Sequence, residues 1–190
     1  MNAPVAFKPN WWARAAGLLL AVEATRDLSL KDKAIQTPLE PHTGRVLAQQ
    51  PLVVVPILRA GLGMVQPLLD IFPDVSVGYV GLERDHATAK ASSYYCKLPP
   101  LTGCRVFVVD PMLATGGSAV SALSLVKKSG AKNIKFVCIV AATDGVAVLE
   151  QHHPDVHIYT PTVDPILNAH KYIVPGLGDF GDRLYGTTNP

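Results

Sequence analysis

Apolar runs and small-residue turns alternate along the chain, and that alternation sets the expected architecture. Residues 52–57 (LVVVPI), 75–82, 106–109 (VFVV) and 134–142 are largely apolar and rich in β-branched or aromatic side chains, the pattern of strands covered on both faces. Pro56 removes a ladder donor and therefore belongs near the end of its strand. Between the runs, residues 11–25 have the apolar density of a largely buried helix with Asn10 as its N-cap, a second helix runs on from Ser118 to Ser129, and a third covers 146–151. Gly130 closes the second as a C′ residue. Residues 94–98 alternate enough to pair back on the 75–82 strand as a hairpin arm, and 157–160 form a last short strand. The stretch 28–50, with Pro38, Pro41, Gly44 and mixed charge, reads as a connector. Strands alternating with helices predict an α/β fold: a doubly wound, mostly parallel sheet with helices on both faces. No repeat, low-complexity tract or linker divides the chain, so residues 1–190 are expected to form one domain with its core at about 50–160.

Composition narrows the partners. A hydrophobic fraction of 48% with 17% charged residues excludes disorder. Lys and Arg number 17 against 15 Asp and Glu, a net charge of +2 that lacks the footprint of a nucleic-acid binder. The three cysteines, Cys96, Cys104 and Cys138, are odd in number and lack metal-ligand spacing, which suits reduced thiols in a cytoplasmic protein. Residues 15–22 are too few to span a bilayer and run at once into Glu23, Arg26 and Asp27, so they read as helix and no membrane partner is expected. His152, His153 and His157 lie near Asp155, but Pro154 breaks any shared helical face, and the group reads as a solvated helix-to-strand turn.

Candidate chemistry concentrates at 106–118, VFVVDPMLATGGS. The run places Asp110 at the carboxyl end of a strand, where open α/β sheets gather ligands. Ala114, Thr115, Gly116, Gly117 and Ser118 follow with unobstructed backbone N–H groups and two hydroxyls beside a helix start, a cradle for phosphate. An acid just before such a cradle matches a vicinal diol, since one carboxylate accepts from two adjacent hydroxyls. The pattern thus points to a ribose 5-phosphate. A glycine-rich turn without this chemistry remains open on spacing alone, and the absence of a Lys after the glycines excludes a Walker loop. A second small-residue turn, Leu58-Arg59-Ala60-Gly61-Leu62-Gly63, carries an arginine. Near the C-terminus, Gly176, Gly178 and Gly181 spell G-x-G-x-x-G, but Pro175 precedes them and no long helix follows, so the segment reads as a loop offering backbone N–H and C=O groups to a small planar ligand.

Five segments, PILRAGLG (56–63), DPMLATGGS (110–118), KKSGAKNIKF (127–136), HPDVHIYT (153–160) and YIVPGLGDFGDR (172–183), together resemble the uracil phosphoribosyltransferase family, from about Leu18 to Gly186. The resemblance implies transfer of phosphoribose from 5-phosphoribosyl-1-diphosphate to uracil, giving UMP. It implies no direct protein-metal site, with Mg2+ carried in by the diphosphate substrate, and a homodimer or higher homo-oligomer. It also implies a C-terminal hood made by the helix at 10–27 and the loop at 164–187. In the cradle Asp110, Pro111, Met112, Leu113, Ala114, Thr115, Gly116, Gly117 and Ser118 would hold the phosphoribosyl group. Arg59 and Arg84 would grip the diphosphate, where a non-proline cis peptide in the Leu58–Arg59–Ala60 turn is expected, because the loop must aim main-chain N–H groups at the ligand. Ile173, Gly178, Asp179 and Phe180 would form the uracil site, with Asp179 toward the phosphoribosyl substrate or its metal. A non-catalytic regulator binding the same ligands is the alternative. The chain departs from the family pattern in its short N-terminus, at Glu83 and His86 in the arm, at Lys171 where glycine is usual, and at Phe180 where alanine is usual. The Phe180 ring is expected to turn outward, away from the base, leaving its N–H to read it.

Overall fold

The computed structural model describes residues 10–48, 51–84 and 91–187. Its centre is a sheet in which β3 (Leu52–Leu58), β5 (Tyr79–Arg84), β7 (Arg105–Val109), β9 (Asn133–Val137) and β11 (His157–Tyr159) run parallel in the order β11-β9-β7-β3-β5. β4 (Ser76–Val77) adds to β3, and β6 (Ala91–Lys97) returns antiparallel along β5 as the expected arm. Helices cover both faces, and strand alternation decides what each face buries. Val53 and Val55 of β3 and Val106 and Val108 of β7 pack with Ala119, Ala122, Leu123 and Val126 of α3 (Gly117–Lys128). Val54, Phe107 and Val109 point the other way, onto Ala13, Leu20, Ala21 and Ala24 of α1 (Asn10–Ala24) and Val65 and Leu68 of α2 (Val65–Ile71). Each such Val or Leu, fully buried, contributes about 1.5–3 kcal/mol over leaving it in water. Double coverage is why these strands read as continuous apolar runs.

The strand expected at 75–82 divides at Gly78 into β4 and β5, and three further expectations need correction. Residues 28–50 are not a mere connector: β1 (Leu30–Gln36) and β2 (Pro41–Leu47) pair antiparallel from Leu30↔Leu47 to Gln36↔Pro41. The turn is closed by the Thr37 hydroxyl, which accepts from the Leu39 and Glu40 N–H groups and donates to Glu40 O. No residue of β1 is buried, so the hairpin carries no apolar periodicity to detect. The run 134–142 breaks into β9 and β10 (Val140–Ala142), which belong to different sheets. Between them Cys138 N–H donates to Tyr159 O, and Ile139 and Val140 N–H both donate to Pro111 O. β10 then pairs with β8 (Met112–Leu113) and β12 (Val163–Asp164). Third, the helix expected at 146–151 begins earlier, as α4 (Thr143–His152), and His153 after it is not solvated. It is buried, with Nε2 3.1 Å from Val120 O and 3.3 Å from Ser124 Oγ. Among the described residues no group of His, Cys, Asp and Glu is arranged to hold a metal ion.

The end of α1 is fastened to the sheet by charge. Asp27 accepts from Arg105 Nη1 at 2.8 Å and from Lys135 Nζ at 2.6 Å, and Lys135 also donates to Ala24 O. Both cations are buried while Asp27 is half open to water. Desolvation opposes ionisation of Asp27, but the two hydrogen bonds and the charges behind them outweigh it and bring its pKa down to about 2. All three cysteines are free thiols, and burial pushes Cys138 up to about 12.

Candidate active site

At the carboxyl ends of the parallel strands the chain forms a cleft of about 210 Å3 lined from three separate segments. Asp110 and Met112 come from the turn after β7, Ala60 from the turn after β3, and Ile173, Gly178, Asp179 and Phe180 from the C-terminal loop. The turn after β7 is held by its own backbone: Asp110 N–H donates to Val137 O, and the Met112 N–H reaches back to Asp110 Oδ1 at 3.4 Å. Pro111 O is consumed by β10, as described above. Leu113 is fully buried in the core, so Pro111 and Leu113 shape the cradle without offering side chains to it. Gly116 sits at the N-cap of α3 with φ 81°, a left-handed conformation glycine reaches without strain.

The cradle also depends on a residue that the sequence reading passed over. A Cβ on Gly145, in α4, would lie 2.4 Å from Ala114 O and 2.7 Å from Leu113 O. Helix and cradle backbone are in direct apposition there, and only glycine permits it. Its only sequence signal is a glycine in the first turn of a helix, where none is needed for conformation.

Burial is the main cause that raises Asp110 to about 7. The Met112 N–H works against the rise, and the charge of nearby Asp179 adds to it. A carboxyl poised near neutrality in a cleft is a common mark of a functional site.

Arg59 follows β3 across a cis Leu58–Arg59 peptide bond, as expected, and its side chain is half exposed. Its Nη2 donates to Asp182 Oδ1 at 3.0 Å and its Nη1 to Thr187 Oγ1 at 3.3 Å. The turn it enters packs tightly under the sheet end, since a Cβ on Gly61 would meet Val109 O at 2.5 Å. Arg84 is the last residue of β5, with its backbone paired to Ala91. His86 lies outside the described residues.

The C-terminal loop is built by side chains gripping backbone. Asp164 Oδ2 accepts from Gly176 N–H at 2.9 Å, beside a cis Val174–Pro175 bond, and Arg183 Nη1 donates to Leu177 O at 2.7 Å. β13 (Ile166–Leu167) and β14 (Ile173–Val174) form a small hairpin above the cleft. A short helix does follow the glycines: α5 (Phe180–Tyr185), whose N-cap Asp179 accepts from Asp182 N–H at 2.8 Å. The Phe180 ring turns inward and not outward as expected: it is buried against Trp12, ring centroids 5.9 Å apart at 89°. That ring belongs to the core between α1 and the turn at Gly63. Lys171, which also lines the cleft, has φ 65°, a region open to glycine and strained for lysine.

Comparison with known proteins gives the family. The family model described as Uracil phosphoribosyltransferase matches residues 10–187. The uracil phosphoribosyltransferase of Agathobacter rectalis is 57% identical over 171 residues, covering 90% of this chain and 82% of its own. That of Bacillus velezensis is 56% identical over 170 residues, covering 89% and 81%. A solved protein from Aquifex aeolicus superposes with a TM-score of 0.86 at 34% identity, covering 100% of this chain and 98% of the other. A hypoxanthine-guanine phosphoribosyltransferase from Bacillus anthracis, at 16% identity and a TM-score of 0.58 over 84% of this chain and 80% of its own, shares the fold alone. A match running from the first residue of α1 to the last described one, with relatives more than half identical over most of the chain, makes this chain a member of the uracil phosphoribosyltransferase family.

Proposed function

We propose that the protein transfers the phosphoribosyl group of 5-phosphoribosyl-1-diphosphate to uracil, giving UMP and diphosphate. The observation that carries the reading is the convergence on one cleft of Asp110, Met112 and Ala114 from the turn after β7, Ala60 next to Arg59, and the C-terminal loop from Lys171 to Gly181. Asp110 takes the two ribose hydroxyls, and the backbone N–H groups of 114–118 take the 5-phosphate. Arg59 would meet the diphosphate together with Arg84, whose side chain lies outside the described residues, as the charge grows on breaking of the bond to ribose C1. Uracil N1 forms the new bond to C1 and loses its proton. The backbone at Ile173, Gly178 and Phe180 reads the base: N–H donors suit O2 and O4, and a carbonyl suits N3–H. Cytosine presents an amine where uracil presents O4 and leaves a donor unpaired. Catalysis of this kind needs positioning and charge stabilisation and no side-chain nucleophile.

The donor set fits a hard cation that arrives with its substrate. Asp110 and Asp179 are both oxygen donors at the cleft, the ligand type such a cation takes. Asp179 would face the phosphoribosyl substrate or the Mg2+ on its diphosphate, and the ion would neutralise the leaving group's charge.

We further read α1 and the 164–187 segment as the hood of one domain, and the protein as a cytoplasmic homo-oligomer. The free thiols suit a reducing compartment, and Leu30, Ile35 and Leu47 of the exposed hairpin are apolar side chains open to water. The decisive assay is conversion of labelled uracil to UMP with the diphosphate substrate and Mg2+. Substrate binding without conversion would favour the regulator instead.

A further inference from the structure

We infer that Asp182 and Thr187 form an anchor that holds the Arg59 guanidinium in the orientation the diphosphate needs, making Asp182 a positioning residue for phosphoribosyl transfer. The inference rests on the reading of Arg59 as the diphosphate cation. A half-exposed arginine on a turn has several rotamers to lose before it can meet a ligand. Here two of its N–H groups are already engaged, one on Asp182 Oδ1 and one on Thr187 Oγ1, which leaves the other three of the five free to face a ligand. The anchor is itself fixed. Asp182 is largely buried, its Oδ1 also accepts from the Thr187 hydroxyl at 2.6 Å, and its backbone N–H is held by Asp179 at the start of α5. The Tyr185 hydroxyl reaches Arg59 O at 3.4 Å, so the same short helix grips the arginine's backbone as well as its side chain.

This geometry distinguishes an orienting partner from a competitor. Asp182 contacts only the terminal Nη2, and the arginine side chain stays 54% exposed, so diphosphate can bind without the anchor letting go. The consequence is a link between two parts of the site. Asp179, assigned to the phosphoribosyl substrate, caps the helix whose Asp182 aims Arg59, so the C-terminal loop must be folded for the diphosphate turn to be ready.

Calorimetric titration of 5-phosphoribosyl-1-diphosphate with Mg2+ into Asp182→Asn, Arg59→Ala and the double variant tests this. Asp182→Asn should weaken binding roughly tenfold and raise KM for that substrate with little change in KM for uracil. In the Arg59→Ala background the same change should do nothing further, a non-additivity that a merely structural role would not give. Thr187→Val should reproduce a smaller part of the loss, and it serves as the probe if Asp182→Asn does not fold. An unchanged affinity, a tighter one, or equal losses in both backgrounds would overturn the anchor. The parent chain's conversion of labelled uracil reports separately on the reading beneath it.

Discussion

Asp110 carries the most quantitative prediction. Its pKa of about 7, against an ordinary 3.8, means that near neutral pH about half of the ligand-free protein holds a proton on it. A carboxylate accepts from both ribose hydroxyls, whereas a carboxylic acid has a hydrogen of its own to place, so substrate binds the ionised form better. With a pKa of about 7 the ionised fraction falls from about nine-tenths at pH 8 to about one-tenth at pH 6, and this contribution to affinity falls roughly tenfold. The phosphates of the ligand titrate nearby, so Asp110→Asn is the reference. It should bind more weakly than the parent at pH 8, with the difference shrinking by pH 6. Calorimetry in buffers of different ionisation enthalpy should show more proton release on binding to the parent than to the variant. Stability changes with the opposite sense. Because the folded pKa lies above the unfolded one, the stability associated with Asp110 is complete below about pH 4 and is lost as pH rises through 7. At pH 8 that loss reaches about 4 kcal/mol at most, with cleft water reducing it, so the Asn variant should gain stability over the parent between pH 5 and pH 8. Parallel pH profiles for the two proteins, in both binding and denaturant unfolding, would refute the assignment.

Other perturbations test the scaffold. Asp27→Asn leaves Arg105 and Lys135 buried without their anion and should cost about 2 kcal/mol in urea unfolding, between an exposed pair and a fully buried one because Asp27 is half exposed. With a folded pKa of about 2 the contribution is present above about pH 4 and should vanish as pH falls through 2, erasing the difference between variant and parent. Phe180→Ala removes a buried ring from Trp12 and should lower stability by about 3–5 kcal/mol, seen as a drop in Tm, while the backbone N–H proposed to read uracil remains. Lys171→Gly relieves a left-handed lysine and should raise stability by about 1 kcal/mol, and a loss in chemical denaturation would count against the strain.

The chain's own order of residues determined the central strands and the place of Asp110 because both are local. An unbroken apolar run ending in an acid, followed by small residues, states a strand, its end and an anion cradle within 106–118, and β7, Asp110 and the start of α3 stand where that pattern puts them. The arm at β6 and the closure of α3 at Gly130 were legible for the same reason. What escaped depends on partners distant in sequence. The β1–β2 hairpin has no buried side to print a period, and the apolar run at 134–142 cannot reveal that Pro111 takes the Ile139 and Val140 donors and redirects the chain into another sheet. Lys171 shows the two levels meeting: the sequence marks a lysine where glycine is usual, and only the turn's φ of 65° says why glycine suits it. The inward direction of the Phe180 ring required Trp12 from the far end of the chain. Asp182, Thr187 and Gly145 matter because of what folding brings against them, an arginine more than a hundred residues away and a carbonyl on a neighbouring loop. Periodicity records which residues are covered, and only the tertiary structure records by what.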